Sequence, residues 1–150
     1  MRDSLPGLES GIPRKVSDWR RGVIRFSIPY PPGKKAKAAF CRRFGLNAYY
    51  AGKHWAARKK DAEELHHLTR VSMQRAGIRA EPVKGPVEVA FYWDDGLDAD
   101  NHAVMGKAVV DAMVPWLLPD DNRRWVRKVS HAFWDGGEIL VEIRAAKGGT

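Results

Sequence analysis

The 150-residue chain carries a formal net charge of +8, with 44% hydrophobic and 10% aromatic residues. That composition suits one packed domain and excludes a disordered chain. The single cysteine, Cys41, excludes an intramolecular disulfide and a zinc site built on several cysteines. No apolar run nears the roughly 20 residues of a membrane span, and no apolar leader opens the chain, so a cytoplasmic location is expected.

Residues 1–22 are polar and broken by Pro6, Gly7, Gly11 and Pro13, which predicts a flexible arm. Arg14, Lys15, Arg20 and Arg21 make that arm basic. Val23 to Ile28 alternates Ile24, Phe26 and Ile28 with Arg25 and Ser27, which reads as a strand. Pro29, Pro31, Pro32 and Gly33 end it and open a loop expected to reach about Tyr50.

From about His54 to Ala76 the pattern is helical, with Trp55, Ala62, Leu65, Leu68 and Ser72 near one face and Gly77 placed to stop it. His66 and His67 are adjacent on that helix. Neighbouring helical residues point about 100° apart, which argues against a shared metal ion.

Val87 to Trp93 reads as a second strand, with Val87, Val89, Phe91 and Trp93 on one face. Asp94-Asp95-Gly96 then turns or bulges the chain. A second helix is expected from Asn101 or His102 to Val114, capped by Asp100 or Asn101 and closed by Pro115. Arg124–Trp134 and Glu138–Ala145 read as strands, and Asp135-Gly136-Gly137 between them is a hairpin signal. Residues 146–150 read as a frayed tail. The expected fold is an α+β domain over residues 23–145, with a mixed sheet of about four strands and two principal helices.

Two charge patterns stand out. From Lys34 to Lys60 there are nine basic residues and no Asp or Glu. These are Lys34, Lys35, Lys37, Arg42, Arg43, Lys53, Arg58, Lys59 and Lys60, with Phe40, Phe44, Tyr49, Tyr50 and Trp55 among them. Cations mixed with aromatic rings offer phosphate contacts and stacking surfaces for a nucleic acid. The plainer alternative is a solvated basic face over core aromatics.

The second pattern is acidic: Asp98-Ala99-Asp100-Asn101 and Pro119-Asp120-Asp121-Asn122. Clustered carboxylates on a basic chain repel one another, and a cation between them relieves this. On extended backbone Asp98 and Asp100 would point to one face, beside the N-terminus of the second helix. Asp121 would return from the loop beyond that helix. Hard oxygen donors suit Mg²⁺, which would activate a water and offset charge on a phosphate. An EF-hand fails, because its fifth, sixth and twelfth positions would be His102, Ala103 and Val109. Loop residues or helix caps are the structural alternative.

Asp98-Ala-Asp100-Asn101, then Lys107-Ala-Val-Val-Asp111-Ala-Met, then Asp120-Asp121, resembles the signature of the RusA family of Holliday junction resolvases. Residues 46–60, from Leu46-Asn47-Ala-Tyr49-Tyr50 to Arg58-Lys59-Lys60, look like the N-terminal part of its phage-type members. The resemblance spans roughly residues 23–145. It implies a RusA-like homodimer that cuts four-way DNA junctions in recombination and repair, using Mg²⁺. Asp98, Asp100 and Asp121 would be metal-binding and catalytic, Asp120 would support them, and Lys107 would stabilise charge on the reacting phosphate. The family's lysine lies four residues after the second Asp; here Lys107 lies seven after Asp100. Either the extra residues form a loop before the helix, or Lys107 is displaced and pairs with Asp111. A non-catalytic nucleic-acid-binding protein on the same fold, or a nuclease acting on other branched substrates, is the alternative function.

Overall fold

The computed structural model describes residues 23–46, 51–52 and 54–147. The N-terminal arm, Asn47 to Tyr50, Lys53 and the last three residues of the tail lie outside these described residues. The fold is α+β: a mixed four-stranded sheet with three α-helices.

The strands are β1 (Val23–Pro29), β2 (Val87–Trp93), β3 (Val126–Phe133) and β4 (Glu138–Ala145). The helices are α1 (Lys34–Phe44), α2 (Trp55–Arg75) and α3 (Ala103–Ala112), with a 3₁₀ turn over Ala99–His102 before α3. Among the described residues no helix is long and apolar enough to cross a membrane.

The sheet order is β1-β4-β2-β3. β4 lies antiparallel between β1 and β2, while β3 runs parallel to β2 at the edge. The expected hairpin is therefore corrected: β3 and β4 flank β2 and do not pair with each other. The connection crosses the end of β2, where Trp134 N–H donates to Trp93 O at 3.1 Å and Gly137 N–H to Asp94 Oδ2 at 2.8 Å. Asp135-Gly136-Gly137 does bend the chain, but a bend does not dictate which strands pair. A strand such as β2, hydrophobic on one whole face, gains more by lying centrally.

Alternation sets the layers. Ile24, Phe26 and Ile28 oppose Ile143, Val141 and Ile139 in register, and Val89 and Phe91 continue the same face. These side chains are buried with Phe40, Phe44, Leu65, Met73, Met105 and Val109 from the helices. One sheet face thus holds all three helices. The other face carries Arg25 and Glu142, a directly opposed pair joined at 2.8 Å and 3% exposed on each side.

α1 replaces most of the expected loop. Lys and Ala are strong helix formers, and Phe40, Cys41 and Phe44 fall on its buried side. Only three buried residues near its end anchor it, too few to show as periodicity. α2 matches its expected span, with His54 Nδ1 accepting from Ala56 N–H at its start. Gly77, at φ 76°, ends it as expected. Trp55, expected near the same face as Leu65 and Leu68, is instead 66% exposed. Its position in the first turn lies beyond the reach of the core.

Candidate functional site

The two acidic stretches sit at opposite ends of α3. Asp98 is extended (φ −67°, ψ 156°) and makes no side-chain capping bond. Asp100 lies within the 3₁₀ turn, where three residues complete a turn and positions two apart splay. The expected shared face of Asp98 and Asp100, which required extended backbone, is therefore not formed. Both residues are exposed. The expected Asp100 or Asn101 cap is also corrected: His102 precedes α3 and makes no side-chain cap bond.

Lys107 stands in the second turn of α3. Its Nζ lies 3.2 Å from Asp111 Oδ1 and 3.9 Å from Asp121 Oδ2. Of the residues singled out for catalysis, the structure thus brings Lys107 and Asp121 together. Asp120 builds the turn, accepting from Asp121 N–H at 2.7 Å and from Asn122 Nδ2 at 3.1 Å.

Among the described residues no three His, Cys, Asp or Glu side chains gather closely enough to hold one metal ion. The donors at Asp98, Asp100 and Asp121 are chemically right for Mg²⁺, yet they do not form a protein cage. Mg²⁺ sites at phosphates commonly use one or two carboxylates, with phosphate oxygens and waters completing the shell.

A buried network beneath the Asp98–Asp100 segment escaped the sequence. Asp95, its side chain 1% exposed, accepts from His102 Nε2 at 2.8 Å, Tyr30 O–H at 2.7 Å and Leu97 N–H at 3.0 Å. Burial pushes the Asp95 carboxyl up, but the bonds from His102, Tyr30 and Leu97 outweigh it and hold the group below the ordinary carboxylate range. His102 Nδ1 faces Ala99 O at 3.1 Å. Both His102 nitrogens thus meet oxygens, one on Ala99 and the other on Asp95. The ring stacks on Trp93 with centroids 4.3 Å apart. Through Ala99, this fully buried imidazole grips the backbone between the two exposed aspartates. Tyr30 is held far above its usual pKa by burial and by Asp95, so it stays a donor. The partners lie up to 65 positions apart, and no local pattern announces them.

His131 completes the stack. Trp93 Nε1–H donates to its Nδ1 at 3.0 Å, and burial together with His102 holds its pKa down. Gly106 lets α3 approach here: a Cβ on it would lie 2.9 Å from the His131 ring.

The basic stretch divides. Lys34, Lys35, Arg42, Lys59 and Lys60 are exposed. Lys37 is half-buried, donating to Asp94 O and lying 4.4 Å from the Tyr30 ring centroid. Arg43 pairs with Asp61 at 3.1 Å and Glu64 at 2.8 Å. Arg58 and Lys59 line a cleft of about 500 Å³ between the end of α1, the first half of α2 and α3. Lys107 and Asp111 form its far wall.

No family model, curated protein or solved structure matches this chain.

Proposed function

We propose that the protein is a Mg²⁺-dependent, structure-selective endodeoxyribonuclease of RusA type, acting on four-way DNA junctions. The observation that carries the reading is the contact of Lys107 with Asp121 at one end of α3, while Asp98 and Asp100 stand exposed at the other. The motif order thus becomes one helix flanked by acidic groups on a chain of net charge +8.

Because the three carboxylates are not gathered into one group, one or two of Asp98, Asp100 and Asp121 would hold the ion, with phosphate oxygens and waters completing its shell. The ion supplies Lewis acidity and an activated water. Lys107, 72% exposed, offers an ammonium to a phosphate once it leaves its aspartate partners. Lys34, Lys35, Arg42, Lys59 and Lys60 supply sequence-independent backbone contacts. A twofold dimer would present two equivalent sites to two equivalent strands. The edge strand β3, with Val129 and Phe133 exposed, offers an apolar border for a second copy.

The test is a cleavage assay on a synthetic four-way junction in Mg²⁺ and in EDTA, beside fork and duplex substrates. Asp98→Asn and Asp121→Asn should abolish cutting and leave junction binding intact, because removing negative charge does not weaken phosphate contact. Full activity in both variants would refute the assignment. A second reading, nucleic-acid binding without cleavage, draws support from the uncaged carboxylates and from the Lys107–Asp111 pair. It predicts binding with no cut strand in Mg²⁺.

A further inference from the structure

The cleft of about 500 Å³ has the size of a small-ligand pocket and belongs to neither acidic stretch. Its walls are mixed. Phe44, Ala62, Val104 and Ala108 supply apolar surface, and Arg58, Lys59 and Lys107 supply positive charge, while the carboxylates of Asp61 and Asp111 in the same lining are engaged by Arg43 and Lys107. His66 also lines it, and among the described residues the buried Nε2 of that ring has no hydrogen-bond partner. Burial and Arg70 hold the His66 ring below its ordinary pKa, against the opposing pull of Asp111 and Glu63. A neutral imidazole offers one donor and one acceptor. The position is also telling. Lys107 in its wall contacts Asp121, and a Cβ on Gly45 in the same wall would lie 3.6 Å from the Asn101 side chain. The cleft therefore lies beside both acidic stretches.

We propose that this cleft seats one unstacked nucleotide of a bound strand. The base lies against Ala62, Val104 and Ala108 with its edge at His66, and the neighbouring phosphates lie toward Lys59 and Lys107. A base within duplex stacking cannot enter, so the cleft selects unpaired or branch-point nucleotides. The inference rests on the nucleic-acid reading above, but it does not require hydrolysis.

The test is fluorescence anisotropy in EDTA at low salt with two labelled twelve-mers, oligo-dT and an abasic strand of the same phosphate count. The intact chain should bind oligo-dT at least about fivefold more tightly, the scale of one base stacked on protein. Ala62→Leu and Val104→Phe, which fill the cleft without changing charge, should each erase that preference and leave abasic affinity in place. Equal affinity of the unsubstituted chain for both strands would overturn the proposal, as would a preference that survives both substitutions. Failure of both strands to bind would remove it together with the nucleic-acid reading. A base preference in a protein that cuts no junction would uphold the cleft and remove hydrolysis alone.

Discussion

At the residue scale, the carboxylate of Asp95 ties the loop after β2 to Tyr30 and His102. Asp94-Asp95-Gly96 read as turn chemistry, and Asp95 does close that turn by accepting from Leu97 N–H. Its larger task is to orient His102, which in turn holds Ala99. Asp95→Asn keeps the shape but withdraws the charge that faces His102. A loss of about 1–3 kcal/mol is expected near pH 7 by chemical denaturation, the scale of a buried polar group left mismatched. The pH dependence has a definite sign. The folded-state pKa of Asp95 is depressed, so its contribution is present above the ordinary carboxylate value near 4 and fades as pH falls through the folded value. The gap between wild type and Asp95→Asn should thus narrow below about pH 4. A gap unchanged between pH 7 and pH 3 would contradict this account. Cys41 shows the opposite shift: its thiol is pushed up to about 11 by burial and by Asp95, against the pull of Lys37.

At the element scale, what was legible depended on periodicity. β2 matches its expected bounds because strict alternation over seven residues leaves little freedom, and β4 matches because Ile139, Val141 and Ile143 mark one face. α2 matched because an amphipathic pattern and a terminal glycine agree. α1 was hidden because Ala and Lys favour a helix without marking a face. The order of strands was hidden because pairing is decided by packing of whole faces. In the site, residue types and spacing were legible, and Lys107 pairs with Asp111, as the alternative to a phosphate role had it. The depth of Asp95, Tyr30 and His102 was not, since burial is a property of the assembled layers. α3 depends on one small residue for its seat. Gly106→Ala would bring a methyl to 2.9 Å from His131 and 3.3 Å from Phe91. Overpacking of this kind costs about 1–3 kcal/mol, partly offset by the better helix propensity of Ala. A lower thermal midpoint is expected, and an unchanged one would show that α3 shifts freely. Because Lys107 follows directly, the same substitution should also disturb its contact with Asp121.

At the scale of the whole molecule, net charge and its placement decide association with a polyanion. Exposed lysines and arginines lie along α1 and the start of α2. Affinity for DNA should fall steeply with salt, in proportion to the number of phosphates neutralised. A titration from 50 to 200 mM salt measures the slope. An affinity indifferent to salt would mean that phosphates are not the main contact.

β4 sits in the interior of the sheet, yet among the described residues it is the last strand in sequence. During synthesis β1 therefore waits for its neighbour until residues 138–145 have left the ribosome. Until then Ile24, Phe26 and Ile28 lack the β4 residues that they oppose. A nascent chain halted before Glu138 should be readily digested by protease and should bind chaperones, whatever the state of its helices.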